Sequence, residues 1–219
     1  MNCAPTNSWR LLLLTAILYR NSLCQTASHL PPAVLRPDPP GQLDLNGKWH
    51  YYLKSTFNPG LFFGSVFPAA FVMISPPKRY SREWRQGAAA YARNVGDAAL
   101  FQTTLYTGKF VAGAALGEDP RYFPSHSQNI AARVGHALAF TLIDRSDNGR
   151  NRLALSNFAG AAAAGFVGQA YLPDSFNDTT HAGQRALIGF GFFAADNLFR
   201  EFSPELKTLG QKLHLVKRK

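Results

Sequence analysis

Apolar and small residues dominate the chain after residue 58, in stretches bounded by residues that start or stop helices. Asn58-Pro59 is typical of a helix start, because asparagine caps the first turn and proline fits the first helical position. No charged residue occurs from Ser55 to Pro77, and Pro76-Pro77 ends this stretch. The pattern predicts six helices. Four lie at about residues 58–75, 82–116, 128–143 and 152–171. The fifth follows the capping residues 174–180 and ends at about 202, and the sixth begins at 203.

Two intervening segments have no clear helical pattern. Asp144–Asn151 is a polar turn that contains Asn148-Gly149, a dipeptide typical of turns. Asn46-Gly47 marks another turn, and the following Lys48–Lys54 is compatible with a short strand or with a first helical turn.

Small residues recur four positions apart in the helix predicted at 152–171. Gly160, Ala164 and Gly168 share one face, as do Ala161 and Gly165. A stripe of small side chains lets a second helix backbone approach closely. The same spacing in Ala88, Ala92 and Gly96 predicts a second packing face. The fold class is therefore expected to be an all-α bundle of five to six helices, packed through Ala/Gly-rich faces.

The bundle is compatible with a membrane-associated protein and with a soluble one. Leu153–Pro173 is uncharged over 21 residues, enough to cross a hydrocarbon core of about 30 Å, but alanine and glycine contribute little to insertion. The stretch 55–77 is more apolar and contains Pro68, which favours an embedded or re-entrant segment over a regular span.

The N-terminal residues have the pattern of an export signal. Arg10 precedes the eight apolar or small residues Leu11–Leu18, a stretch too short for a membrane span. We therefore predict a signal peptide at 1–27 and, from its prolines, an extended linker at 28–47. A single helical domain is expected at 48–219. The predicted location is outside the cytoplasm, in the periplasm or at the outer membrane.

Composition narrows the class of protein. The chain is 46% hydrophobic and 16% charged, with a mean hydropathy of -0.13, which excludes a disordered chain and argues against a polytopic transporter. Its two cysteines, Cys3 and Cys24, lie in the leader, so the body has no disulfide and no cysteine-based zinc site. The histidines are scattered and no cofactor fingerprint occurs, so no metal or cofactor is predicted.

The net charge of +10 indicates an anionic partner. Leu206, Leu209, Leu213 and Val216 form one face of a C-terminal amphipathic helix. Its basic residues are Lys207, Lys212, Lys217, Arg218 and Lys219. We expect this end to contact an anionic membrane surface or envelope lipid, with docking on the protein's own bundle as the alternative. Nucleic acid is not expected, because export and the lack of a basic-aromatic motif argue against it.

The densest polar segment is Glu118–Pro124, which contains Glu118, Asp119, Arg121 and Tyr122. Together with Arg133 and His136, this cluster is compatible with a hydrolase that uses an acid, an arginine and a histidine. The same residues are compatible with a locked turn between helices, in which acids cap and arginine binds carbonyl groups.

Three segments carry a resemblance to known proteins: Glu118–Pro124, the Arg133…Gly135-His136-Ala137 pattern, and Glu201–Leu206. Across about the last 170 residues the chain resembles an uncharacterised family of exported bacterial proteins of the acidobacterial type. The resemblance implies no known activity. The expected function is a structural or accessory role at an envelope membrane, with binding of an apolar ligand between helices. A hydrolase and a soluble periplasmic binding module are the alternatives.

Overall fold

The computed structural model describes residues 41–213, which form a helical bundle with one small sheet. The leader and residues 28–40 of the linker lie outside the described residues. The helices of the described part are α1 Leu45–Thr56, α2 Pro59–Ile74, α3 Arg82–Arg85, α4 Gly87–Leu116, α5 Ile130–Ala139, α6 Leu155–Val167, α7 Thr179–Glu201 and α8 Ser203–Lys212. Strands β1 Ile143–Arg145 and β2 Asn151–Leu153 pair antiparallel, and a 3-10 turn, Gly168–Ala170, follows α6. The predicted all-α class is confirmed.

The 30-residue helix α4 is the centre of the bundle. Helices α2 and α6 pack against it, and α7 packs against α6. The buried apolar core lies where α4, α6 and α7 meet, and it consists of Phe101, Leu105, Ala161, Ala164 and Phe193. Helices α4, α6 and α7 are therefore held together by a few large side chains that pack against alanine and glycine.

The small-residue stripe of α6 makes the closest helix contacts. A Cβ atom at Gly160 would lie 2.4 Å from the Leu105 carbonyl oxygen of α4. A Cβ atom at Gly165 would lie 2.4 Å from the Ala182 carbonyl oxygen of α7. Real Cβ atoms do not approach a backbone this closely, so the predicted close packing through α6 is confirmed.

The second predicted small-residue face, on α4, is wrong. Ala88, Ala92 and Gly96 are exposed, and nothing lies within 4 Å of a Cβ atom built at Gly96. A neighbouring face of α4, which contains Asn94, is buried instead. Asn94 donates to the Trp84 carbonyl oxygen (3.1 Å) and so holds α3 against α4.

The structure adds two helices to the six predicted ones. Lys48–Lys54 belongs to α1, which begins at Leu45 because the Asp44 side chain accepts a hydrogen bond from the Gly47 N–H (2.7 Å). Helix α1 thus begins three residues before position 48, and Asn46-Gly47 lies within a helix and is not a turn. The predicted helix 82–116 is interrupted by Gly87, whose φ of 86° is left-handed, so α3 and α4 are separate.

A β-hairpin replaces the predicted polar turn at 144–151 and the adjoining ends of two predicted helices. Ile143 pairs with Leu153, and Asp144 pairs with Arg152. The turn contains Gly149 at a φ of 77°, so asparagine-glycine does mark a reversal here. Glu118 forms an isolated bridge with Ser146, which ties the hairpin to the segment after α4.

Helix α8 extends from the bundle with both of its faces accessible. Its residues Leu206, Leu209 and Leu213 are exposed, so in the described residues this apolar face is not covered by the bundle. Lys207 and Lys212 are also exposed. Val216, Lys217, Arg218 and Lys219 lie outside the described residues.

In residues 41–213 no individual helix is both long and apolar enough for a membrane span. Taken together, α1 and α2 reach that length and hydropathy, with a bend of 40° at the break between them.

Candidate functional site

The segment after α4 carries the predicted polar cluster across one end of the bundle. Helix α4 ends at Gly117, whose φ of 65° turns the chain, and the Asp119 N–H then donates to the Arg145 carbonyl oxygen (2.8 Å). The following residues run along the hairpin and α7. The structure distributes the six predicted site residues over three separate interactions on this path.

Glu118 stabilises the start of α6. Its carboxylate is buried and accepts a hydrogen bond from the Ser156 N–H (3.1 Å). An Arg152 nitrogen lies 3.6 Å from the other carboxylate oxygen. A carboxylate is favourable at this position, because a helix N-terminus has free N–H groups and a partial positive charge.

Asp119 and Arg121 form a local ion pair. The Asp119 Oδ1 atom accepts from both the backbone N–H (3.0 Å) and the Nε–H (2.9 Å) of Arg121. Arg121 also donates to the Gly41 carbonyl oxygen (3.0 Å), so it joins this segment to the start of the described chain. The hydrogen bonding that Arg121 donates to the Asp119 carboxylate is the main reason why the pKa of Arg121 is raised above its usual value.

Tyr122, Arg133 and His136 come together around Glu201, which the sequence did not identify as a site residue. The Glu201 side chain is fully buried, and it accepts from the Tyr122 hydroxyl (2.7 Å) and the Arg133 Nε–H (2.8 Å). The Ser125 N–H donates to it as well (2.9 Å). His136 Nδ1 lies 3.0 Å from the Tyr122 hydroxyl. We call Tyr122, Arg133, His136 and Glu201 the glutamate cluster.

The electrostatics of the glutamate cluster favour an ionised acid beside a neutral histidine. Burial opposes ionisation of Glu201, but hydrogen bonds from Arg133, Ser125 and Tyr122 outweigh it and lower the pKa of Glu201 below its usual value. Burial lowers the pKa of His136, against the opposing charge of Glu201. The acid is thus fully engaged as an acceptor.

The predicted site residues therefore do not converge on one open pocket. Glu118 is bound to a helix N-terminus, Asp119 to Arg121, and Glu201 to Arg133. This arrangement of buried, paired charges is what the locked-turn interpretation of the sequence predicts.

A small cleft lies beside these groups, between α1, α4 and α7. A cavity of about 40 Å³ opens there, and a second of about 20 Å³ adjoins it through shared lining residues. The lining residues common to both are Lys109, Pro120, Asp196 and Arg200. These volumes hold a few water molecules and are far below the several hundred Å³ of a typical small-molecule site.

Charges in this cleft are paired. Lys109 Nζ lies 3.8 Å from Asp144, and Arg200 donates to Asp196 (2.9 Å) and to the Tyr51 hydroxyl (2.8 Å). Burial raises the pKa of Asp144 to about 6, although Lys109 opposes the shift. In residues 41–213 no group of three histidine, cysteine, aspartate or glutamate side chains could hold a metal ion.

Helix α2 exposes more large apolar side chains than any other helix of residues 41–213. Five of its side chains are each more than half exposed, namely Phe62, Phe63, Phe67, Phe71 and Ile74. The small residues Ser65 and Ala69 are buried where α2 packs against α4. We call the five exposed residues the α2 face. Contiguous exposed apolar surface is typical of membrane and protein contacts.

Charge-free stretches also occur on α4, which packs against α2, and on α6 and α7. In α4, no charged residue occurs between Asp97 and Lys109, and in α7 none occurs between Arg185 and Asp196. The first stretch covers twelve residue steps, or roughly 18 Å along the helix. Helix α6 carries no charge at all. Each helix exposes large apolar side chains here: Leu100 on α4, Phe158 and Phe166 on α6, and Leu187 and Ile188 on α7.

Sequence reasoning missed Glu201, Asp144, Lys109 and Arg200. Each of these residues acquires its role from a partner that is distant in the chain, as with Glu201 and Arg133, which are 68 positions apart. Glu201 lies within Glu201–Leu206, one of the segments that carry the family resemblance. That segment is the one signal in the sequence that points to Glu201. The uncharged stretch 55–77, by contrast, did indicate α2 correctly as an unusual apolar element.

No family model, curated protein or solved structure matches the chain. The resemblance to exported proteins of the acidobacterial type therefore stays a prediction.

Proposed function

We propose that the protein is an exported, membrane-associated protein of the cell envelope, with a structural or accessory role, and that the α2 face contacts lipid. The observation that carries this proposal is the exposure of five large apolar side chains on one uncharged helix. Burying one phenylalanine side chain in an apolar environment is worth about 1.5–3 kcal/mol. The five together therefore provide a strong driving force for insertion.

Lipid accounts for the distribution of the apolar surface better than a second copy of the chain does. An interface between two copies covers one patch, whereas the exposed apolar side chains occur on α2, α4, α6 and α7. The charge-free stretch of roughly 18 Å is close to the thickness of one hydrocarbon leaflet, about 15 Å.

Aromatic residues that flank α2 in the sequence support the same occupant. Trp49, ten positions before the helix in α1, is partly exposed and packs against the Phe110 ring, while Tyr80 and Trp84 follow α2. Tryptophan and tyrosine are enriched where hydrocarbon meets the polar headgroups.

Vesicle flotation of the full chain tests the proposal. We expect the protein to float with phosphatidylcholine vesicles, and Phe67→Gln to reduce its partition about tenfold or more, since one phenylalanine no longer enters lipid. Phe199→Gln is the matched control, because Phe199 is equally exposed but lies between Asp196 and Arg200. Protein that stays at the bottom of the gradient, or equal losses in both variants, would contradict lipid contact by α2.

Fractionation of expressing cells tests the location. We expect the chain in the envelope fraction, where an alkaline carbonate wash separates embedded from adherent protein. Release of all the protein by osmotic shock would instead support the alternative of a soluble periplasmic module.

The hydrolase alternative retains one supporting observation, the contact between Tyr122, His136 and Glu201. Its acids are, however, engaged in capping and ion pairs. Hydrolysis of ester or phosphate substrates that is lost in His136→Gln, with folding unchanged, would favour it.

A further inference from the structure

We infer that residues 78–85, which we call the basic loop, bind the headgroups of anionic phospholipids beside the α2 face. This inference rests on the proposed membrane association and adds the lipid class and the contact residues. The loop contains Lys78, Arg79, Arg82 and Arg85, against a single acid, Glu83. It consists of the segment that follows Ser75 and two prolines, together with α3. Asn94 of α4 contacts both Met73 at the end of α2 (3.7 Å) and the Trp84 carbonyl oxygen (3.1 Å), so the basic loop lies beside the end of α2.

The side chains of Lys78, Arg79 and Arg82 are available for a ligand. All three residues are exposed, and among residues 41–213 none of them has a carboxylate partner. Three arginines of the bundle differ in this respect. Arg133, Arg185 and Arg200 are each bound to an acid, namely Glu201, Asp97 and Asp196 respectively. The basic loop thus concentrates positive charge that the fold itself does not use.

The backbone of the basic loop is fixed although its cationic side chains are exposed. Ser175 donates to the Arg79 carbonyl oxygen (3.0 Å), and Arg93 donates to the Glu83 carbonyl oxygen (2.7 Å). Asn94 holds the Trp84 carbonyl group, as described above. The Tyr80 ring packs edge-on against Phe176, with centroids 4.4 Å apart. Anchoring of this kind lowers the entropic cost of presenting several cations to one surface.

Lipid phosphate is the anion that fits this arrangement. Arginine binds phosphate oxygens through two parallel N–H groups, and each basic residue near an anionic membrane contributes to binding. The α2 face supplies the apolar anchor for the same membrane. A free phosphate ion would not use that anchor, whereas a phospholipid uses both parts.

The test is flotation of the full chain with two kinds of vesicle, pure phosphatidylcholine and phosphatidylcholine with about a third phosphatidylglycerol. We expect tighter binding to the anionic vesicles, and loss of that preference in high salt. The variant Lys78→Gln/Arg79→Gln/Arg82→Gln should weaken binding to anionic vesicles by roughly a hundredfold. Its binding to neutral vesicles should be unchanged, since α2 is intact.

The control variant Arg150→Gln/Lys207→Gln/Lys212→Gln has the same change in charge but alters the hairpin turn and α8, the other cationic surface. We expect it to lose less of the anionic preference than the basic-loop variant does, and equal helix content by circular dichroism establishes that both variants fold. An unchanged preference in the basic-loop variant, or loss of the preference in the control variant instead, would overturn the inference. Equal binding of the unmodified chain to both kinds of vesicle would overturn the inference about the basic loop but not the proposed function. Binding to neither kind of vesicle would overturn the proposed function as well.

Discussion

At the scale of single residues, the structure uses its buried charges to hold separate parts of the chain together. Glu201 at the end of α7 joins Arg133 of α5 to the segment that contains Tyr122 and Ser125. The Arg133 guanidinium also lies over the Phe202 ring, 4.3 Å from its centre. A buried carboxylate of this kind is costly to leave without its partners, which makes it a sensitive test of a structural role.

We predict that Glu201→Gln lowers the free energy of unfolding by about 3–5 kcal/mol, because the buried Arg133 charge loses its buried carboxylate partner and keeps the half-exposed Glu205. Chemical denaturation monitored by circular dichroism measures the change. Glu205→Gln is the control, since Glu205 also pairs with Arg133 but is half exposed, and should cost less than about 1 kcal/mol. Equal costs in the two variants would show that burial of Glu201 is not what makes the cluster important.

The raised pKa of Asp144 predicts a specific dependence of stability on pH. Burial raises its pKa to about 6 in the folded protein, above its unfolded value of about 3.9, so the folded state holds the proton more strongly. The contribution of Asp144 to stability should therefore fall as pH rises from about 4 to 6, by at most about 3 kcal/mol, and stay level above that range.

Unfolding of the native chain and of Asp144→Asn between pH 4 and 7 measures this contribution as a difference. The difference removes the effect of other carboxylates, including Glu201, whose lowered pKa acts in the opposite direction. A stability difference that does not change over this range would mean that folding does not raise the pKa of Asp144.

The sequence identified some of these residues but not their partners. Tyr122, Arg133 and His136 lie within fifteen positions of one another in the sequence, and their side chains meet around Glu201 in the structure. Their common partner Glu201 is supplied by a helix far along the chain, and no local pattern indicates that contact. Glu118 and Asp119 were grouped with them by proximity in sequence, although adjacent residues in an extended segment point in different directions.

At the scale of helices and strands, local signals determined where most elements begin. Asn58-Pro59 starts α2, Ser203-Pro204 starts α8, and Gly117 ends α4, as the sequence predicts. The hairpin was missed because its strands are three residues each, too short to show alternation. The interruption at Gly87 was missed because glycine within an alanine-rich run is also compatible with a continuous helix.

The contact between α6 and α4 gives a prediction for a pair of helices. A methyl group at Gly160 would collide with two backbone atoms of α4, the Leu105 oxygen at 2.4 Å and the Lys109 nitrogen at 2.9 Å. We expect Gly160→Ala to lower the free energy of unfolding by about 1–3 kcal/mol, because the helices must separate. Gly160→Leu should be more damaging.

Gly96→Ala is the matched control for this prediction. Gly96 is also inside a helix, but nothing lies within 4 Å of its added methyl group, so alanine should be neutral or stabilise by up to about 1 kcal/mol. Thermal unfolding distinguishes the two variants. Similar melting temperatures for Gly160→Ala and the unmodified chain would refute close packing through α6.

At the scale of the whole molecule, the fold separates two kinds of surface. Paired charges and the small cleft lie around the segment after α4, whereas the α2 face and the charge-free stretches of α4, α6 and α7 leave large apolar side chains exposed. The sequence anticipated the apolar segment at 55–77. It did not anticipate which side of α2 is exposed, since that depends on how Ser65 and Ala69 meet α4.

The C-terminal basic residues are the cationic surface that the sequence predicts. Lys207 and Lys212 are exposed on α8 beside Leu206 and Leu209, in agreement with the amphipathic pattern. The basic loop is a second cationic surface that local patterns did not single out, and it directly follows the α2 face. The vesicle experiments with matched triple variants compare these two surfaces.

The most direct test of the account is the environment of residue 67 in the presence of membranes. The only cysteines are Cys3 and Cys24, so a chain with both changed to serine accepts a single polarity-sensitive nitrobenzoxadiazole label at Phe67→Cys or, as the control, at Asn148→Cys on the exposed hairpin turn. With phosphatidylcholine vesicles, we predict a blue shift and increased emission for the label at 67, quenched by lipids brominated in their acyl chains, and no change for the label at 148. An unchanged, unquenched label at position 67 would contradict the claim that α2 faces lipid.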